Sequence, residues 1–112
     1  MSGITTHVLD TSRGRPAAGV AVRLSIHADG AWTELARGVT DDDGRCRTLT
    51  PAAAIAPARY RIVFDTGAYY AAVNVETFYP EVTVVFEVKD GAAHYHVPLL
   101  LSPWGFSTYR GS

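Results

Sequence analysis

The sequence contains a single cysteine, Cys46, so no internal disulfide can form, and the fold must hold without oxidative cross-links. It has no surplus of either charge: ten basic residues face eleven acidic ones, for a formal net charge of −1. A chain without a basic excess cannot offset a run of phosphates, so nucleic acid and acidic membranes are not its expected partners. No apolar run approaches the ~18 residues that would span a bilayer. The first residues carry neither a basic nor an apolar leader segment, and the last three are not a peroxisomal address. The expectation is a soluble, cytoplasmic protein. Motifs of common chemistries are missing too. There is no Gly-x-Ser-x-Gly elbow, no glycine-rich phosphate loop, no Cys-x-x-Cys and no His-Glu-x-x-His.

What is present is a chain of 112 residues, 47% hydrophobic and 19% charged, which are ordinary values for one globular domain spanning residues 1–112. Apolar residues recur every second position. Val20, Val22, Leu24 and Ile26 alternate with Ala21, Arg23, Ser25 and His27. Tyr60, Ile62 and Phe64, then Val82, Val84, Phe86 and Val88, repeat the pattern. That period belongs to half-buried strands. Further strands are expected over Ile4 to Leu9, Trp32 to Val39, His94 to Leu101 and Ser107 to Arg110. Asp29-Gly30 and Asp90-Gly91 are hairpin turn signals. Thr66 to Asn74 is the best helix candidate, about two turns long. Pro51 and Pro57 bracket an alanine-rich segment and argue against a long helix there. Seven or eight short strands at this spacing predict an all-β antiparallel sandwich with one small helix.

Four features stand apart from the core: His7, Arg45, the pair His94 and His96, and the polar ending Tyr109, Arg110, Gly111 and Ser112. The run Tyr95 to Leu101 buries Val97, Leu99 and Leu101 on one face and leaves His94 and His96 on the other. Zinc sites also use two histidines at that spacing, but no third ligand accompanies them in the sequence. His7 alone reads more readily as a surface histidine, and Arg45, after an Asp-Gly turn, as a solvated side chain. The residues support a sandwich with a His/Arg site and name no substrate.

A resemblance carries the sequence further. Thr6 to Asp10, Gly14-x-Pro16-Ala17, Asp43-Gly44-Arg45, the stretch Tyr60 to Tyr70, His96 to Pro103 and Ser107 to Ser112 resemble the transthyretin-like family over essentially the whole chain. The ending Tyr109 to Ser112 resembles its enzymatic branch, the 5-hydroxyisourate hydrolases, rather than its hormone-carrying branch. The resemblance implies two four-stranded sheets with a short helix. It also implies a homotetramer built as a dimer of dimers, with sites at the dimer–dimer interface. The implied reaction is cofactor-independent, metal-free hydrolysis of 5-hydroxyisourate to 2-oxo-4-hydroxy-4-carboxy-5-ureidoimidazoline, on the way from urate to allantoin. The family's catalytic residues fall on His7, Arg45 and His96. Its substrate-binding residues fall on His7, Arg45, Tyr109, Arg110, Gly111 and Ser112. His94 lies outside that pattern. Two other readings remain at this point: a carrier of an apolar ligand in the same inter-dimer channel, and a zinc hydrolase using His94 and His96.

Overall fold

A computed structural model describes residues 3–51 and 53–112. Met1 and Ser2, at the start of the sequence, and Ala52, in the alanine-rich segment, lie outside the described residues. The elements are β1 (Gly3–Asp10), β2 (Arg15–Pro16), β3 (Ala21–Ala28), β4 (Ala31–Val39), β5 (Arg45–Cys46), β6 (Ala58–Phe64), α1 (Thr66–Ala72), β7 (Val82–Val88), β8 (His94–Ser102) and β9 (Gly105–Thr108). They form two sheets. One has the order β2-β1-β8-β9, with β5 also pairing with β1; the other has the order β4-β3-β6-β7.

The period-two pattern decides what goes inside. Ile4, Val8, Leu99 and Leu101 from the first sheet meet Val22, Leu24, Ile62 and Phe64 from the second, all nearly or fully buried. Fully burying an aliphatic or aromatic side chain of this size contributes about 1.5–3 kcal/mol. The opposite face of the first sheet is therefore free for polar side chains. Thr5, His7, His94 and His96 occupy it, half-buried.

The sandwich and its short helix are as the sequence implies; several details differ. β1 and β8 pair in parallel, from Gly3 opposite His94 to Asp10 opposite Leu101, within otherwise antiparallel sheets. Alternation marks which residues share a face, but it carries no sign of the direction in which distant strands meet. The first sheet has five strands rather than four, because β2 and β5 are separate two-residue pieces along β1. The last strand ends at Thr108 rather than Arg110, and Gly111 rejoins the sheet alone through a bridge to His96.

The two turn signals have different outcomes. Asp29 and Gly30, at φ 52° and 77°, close the β3–β4 hairpin with both residues in the left-handed region, as a type I′ turn requires. Asp90 and Gly91 close no hairpin. They carry the chain from one sheet to the other, and Gly91 accepts a hydrogen bond from the Ile55 amide at 2.9 Å. A Cβ on Gly91 would stand 1.8 Å from the Ile55 carbonyl oxygen, so close backbone approach explains that glycine.

Helix α1 spans seven residues. Asp65 caps it by accepting from the Ala68 amide at 3.2 Å. Its tyrosines tie it to the first sheet: Tyr69 and Tyr70 donate to the buried Asp10 carboxylate at 2.8 and 3.3 Å.

Candidate active site

Three strands bring the site together. His7 on β1 lies directly across from Arg45 on β5 and from Pro98 on β8, and Thr5 lies across from His96. Strand parity puts all of these side chains on the outer face of the first sheet. A depression there is lined by Thr5, Thr6, Arg45, Arg47, His94, His96 and Ser112. Its cavity is about 160 Å³ and open to solvent.

The turn between Thr40 and Arg45 does more than expose acids. Asp41 accepts from the amides of Asp43 and Arg45 at 2.9 and 3.0 Å, which fixes the start of β5. The hydrogen bond from the Arg45 amide, joined by that from Asp43 and by the charges of Arg47 and Arg45, holds the Asp41 carboxyl below its ordinary pKa against the opposing effect of desolvation. The turn seats on β1, where the Val8 amide donates to the Gly44 carbonyl at 2.7 Å. Gly44 sits at φ 77°, and a Cβ there would meet the Val8 carbonyl oxygen at 2.3 Å. The Asp43 carbonyl receives a hydrogen bond from Nε2 of His7 at 2.8 Å. A carbonyl only accepts, so Nε2 of His7 carries a proton and Nδ1 of the neutral ring keeps its lone pair.

His96 has the most perturbed imidazole. Burial pushes it below its ordinary pKa, and the positive charge of Arg45 acts in the same direction, followed by His94 and His7; a hydrogen bond with Thr5 opposes them. The ring is therefore kept neutral to lower pH. Its Nδ1 stands 2.8 Å from Oγ1 of Thr5, and the same oxygen lies 2.9 Å from Nε2 of His94. The two rings stack with centroids 6.2 Å apart. Arg45 is free to meet a substrate. The two ion pairs among the described residues, Glu34–Arg37 and Arg59–Glu87, are elsewhere.

The tail divides. The Gly111 amide donates to the His96 carbonyl at 2.8 Å, which brings Ser112 to the depression. Arg110 turns away, with its guanidinium 4.4 Å from the centre of the Tyr95 ring and one nitrogen 3.4 Å from the His94 carbonyl. Tyr109 lines a separate apolar groove with Val84, Phe86 and Val97. Within one chain the fold thus gathers His7, Arg45, His96 and Ser112, while Tyr109 and Arg110 brace the tail. Sequence reasoning missed Thr5 and Arg47 and set His94 aside. The His94-x-His96 spacing was the available signal for His94; nothing in the sequence singled out Thr5 or Arg47. Both histidines direct a ring nitrogen at Thr5. Among the described residues, no group of three His, Cys, Asp or Glu gathers as a metal cluster.

A two-sheet sandwich with histidines and a free arginine on one outer sheet face defines a transthyretin-like protein equipped for proton transfer and anion binding. The chain belongs to the HIUase/Transthyretin family, whose profile matches residues 4–111. It is 50% identical over 111 residues to a probable 5-hydroxyisourate hydrolase of Caenorhabditis elegans, covering 99% of this chain and 82% of the relative. Among solved structures, a Klebsiella pneumoniae 5-hydroxyisourate hydrolase superposes with a TM-score of 0.86 at 39% identity, covering 100% of this chain and 94% of the other. A sea bream transthyretin in complex with thyroxine superposes with a TM-score of 0.90 at 36% identity, covering 96% and 93%. Backbone likeness alone therefore does not separate enzyme from carrier.

Proposed function

We propose that this protein is a hydrolase that opens the ring of 5-hydroxyisourate to 2-oxo-4-hydroxy-4-carboxy-5-ureidoimidazoline in the degradation of urate, with His7, Arg45, His96 and Ser112 as its working groups. The observation that carries this reading is the meeting of His7, Arg45 and His96 on one sheet face, in a chain related to such hydrolases over its full length.

Hydrolysis of a cyclic amide needs a base for water and positive charge for the oxygen that becomes anionic. His96, kept neutral by burial and by Arg45, takes the water proton. A positioned base of this kind contributes on the order of 10²–10⁴-fold. His7 offers the lone pair of Nδ1 to the water or to a ring N–H and holds it in line, because its other nitrogen is committed to Asp43. Arg45 grips the ring oxygens with its fork and stabilises the oxyanion. The Ser112 hydroxyl closes the pocket. Protein side chains supply every role, so the reaction needs no metal or cofactor.

The assembly is a homotetramer, a dimer of dimers, with the sites between dimers. In support, the depression opens on a sheet face, and Val85, Phe106, Trp104 and Tyr109 are exposed on and beside β7 and β9. A lone chain would leave that apolar surface in water. The enzyme works in the cytoplasm, where buried Cys46 stays reduced. Among the described residues, no helix is long and apolar enough to cross a membrane.

The test generates 5-hydroxyisourate from urate with urate oxidase and follows its ultraviolet decay. Accelerated decay that survives EDTA and disappears in Arg45→Ala is the expected result. Decay at the spontaneous rate from a folded tetramer would overturn the proposal in favour of a carrier.

A further inference from the structure

The hydroxyl of Thr5 has two imidazoles within hydrogen-bond distance, Nδ1 of His96 at 2.8 Å and Nε2 of His94 at 2.9 Å. A hydroxyl has one proton to give. It serves only one of the two lone pairs, so at least one ring must present an N–H to Thr5. Two fully bonded neutral arrangements exist. In the first, His96 donates from Nδ1 to Thr5, Thr5 donates to Nε2 of His94, and Nε2 of His96 is left bare. In the second, His94 donates from Nε2 to Thr5, Thr5 donates to Nδ1 of His96, and Nε2 of His96 carries a proton. The first arrangement is a base and the second an acid. They interconvert when a proton enters at Nε2 of His96, protons shift along His96–Thr5–His94, and one leaves from Nδ1 of His94.

We propose that Thr5 and His94 form a proton relay behind His96, switching it from base to acid within one catalytic cycle. The proposal rests on the hydrolase reading above. As water attacks the substrate carbonyl, its proton goes to Nε2 of His96 and its oxygen bonds to the carbonyl carbon. The Nδ1 proton of His96 passes to Oγ1 of Thr5, and the original Thr5 proton passes to Nε2 of His94. His96 is again neutral but now bears its proton on Nε2, and the positive charge rests on His94. When the ring C–N bond breaks, Nε2 of His96 gives that proton to the departing nitrogen. Thr5 returns a proton to Nδ1 of His96, and His94 returns one to Thr5. The cycle closes with no net proton gained or lost by the relay.

The surroundings favour moving the charge off His96. Arg45, His7 and Arg47 all present positive or protonatable groups to this face, and among the described residues no Asp or Glu side chain lines the depression. Arg110 holds the His94 carbonyl from the far side, which keeps the backbone of this part of β8 in place. Parallel pairing of β1 with β8 sets Thr5 opposite His96, with its hydroxyl between the two rings.

The test combines kinetics with imidazole nitrogen NMR. Thr5→Val keeps the shape and removes the hydroxyl; Thr5→Ser keeps the hydroxyl; His94→Gln can bond to Thr5 but cannot hold the proton. Thr5→Val and His94→Gln are expected to lower kcat about tenfold, a fraction of a full general base, with KM unchanged and an altered pH profile. Thr5→Ser should restore both, and the double variant should be no slower than the worse single one. In the ligand-free wild type, the two rings should share one tautomer, and Thr5→Val should uncouple them. Wild-type kcat and pH profile in both Thr5→Val and His94→Gln would overturn the relay, as would rings that hold opposite tautomers in the wild type. If the wild type does not accelerate decay at all, it is the hydrolase reading that has failed. The ring tautomers, recorded without substrate, then still decide whether the two imidazoles are coupled through Thr5.

Discussion

Gly111 packs against the ring of His96 so closely that no other residue fits: a Cβ there would stand 2.7 Å from Cδ2 of His96, while the Gly111 amide donates to the His96 carbonyl at 2.8 Å. The His96 ring cannot simply swing aside, because Thr5 holds its Nδ1. Gly111→Ala should therefore displace the imidazole or the tail. Misplacement of a catalytic group by about 1 Å can cost up to about a hundredfold. We expect kcat to fall by about tenfold to a hundredfold with the thermal midpoint nearly unchanged. Decay assays alongside circular-dichroism melts will check it.

His96 should titrate below the ordinary histidine value of about 6.5. Burial and the Arg45 charge both disfavour its protonated form. Removing the charge in Arg45→Ala weakens that bias, so the His96 pKa should rise in the variant. NMR titration of the ring measures this without relying on residual activity. The acid limb of wild-type kcat/KM should follow the same depressed value.

His7→Asn and His96→Asn should each lower kcat on the order of 10²–10⁴-fold, as loss of a positioned proton-transfer group does. Both side chains lie on the outer face, away from the core, so the fold should be unaffected. Arg45→Lys keeps a charge but loses the planar fork, and should fall short of wild type in kcat/KM by about 10-fold or more. Steady-state kinetics with size-exclusion chromatography test all three.

Asp10 should make the fold acid-sensitive. Burial alone would raise its pKa, but hydrogen bonds from Ser12, Tyr69 and the Arg13 amide outweigh it, so the folded value lies below the ordinary 3.8. The stabilisation is then complete above the unfolded value and is lost as pH falls through the folded one. Asp10→Ala leaves the buried Tyr69 and Tyr70 hydroxyls without their acceptor, at a cost of about 1–3 kcal/mol for a buried unsatisfied group. Urea melts at neutral pH should show the loss. The loss of wild-type stability as pH falls below the ordinary 3.8 should be absent in the variant.

Much of the fold was legible because side-chain alternation is a local code. Val22, Leu24, Ile62 and Phe64 announce their strands, and Asp29-Gly30 announces its hairpin. β4 was read over Trp32 to Val39 as well, but its irregularity was not. It is an edge strand with a bulge opposite Leu24 and Ser25, which leaves Leu35 without a partner and 51% exposed. Asp90-Gly91 carries the same turn chemistry as Asp29-Gly30 yet leads into a different sheet, because a turn signal specifies reversal and not the strand that receives it.

By itself the sequence determined which residues face inward, that His94 and His96 share a face, and, through resemblance, that His7 and Arg45 belong with them. Tertiary structure decided the neighbours. Parallel pairing of β1 and β8 set Thr5 between two imidazoles; the seating of the acidic turn on β1 fixed the His7 tautomer through a backbone carbonyl; and the return of Gly111 to His96 brought Ser112 to the pocket and turned Arg110 away. The physical reason is one of range. A period of two is imposed by backbone geometry within each strand, whereas pairing partner, direction and register are set by contacts between segments up to about ninety residues apart, on which local pattern carries no information.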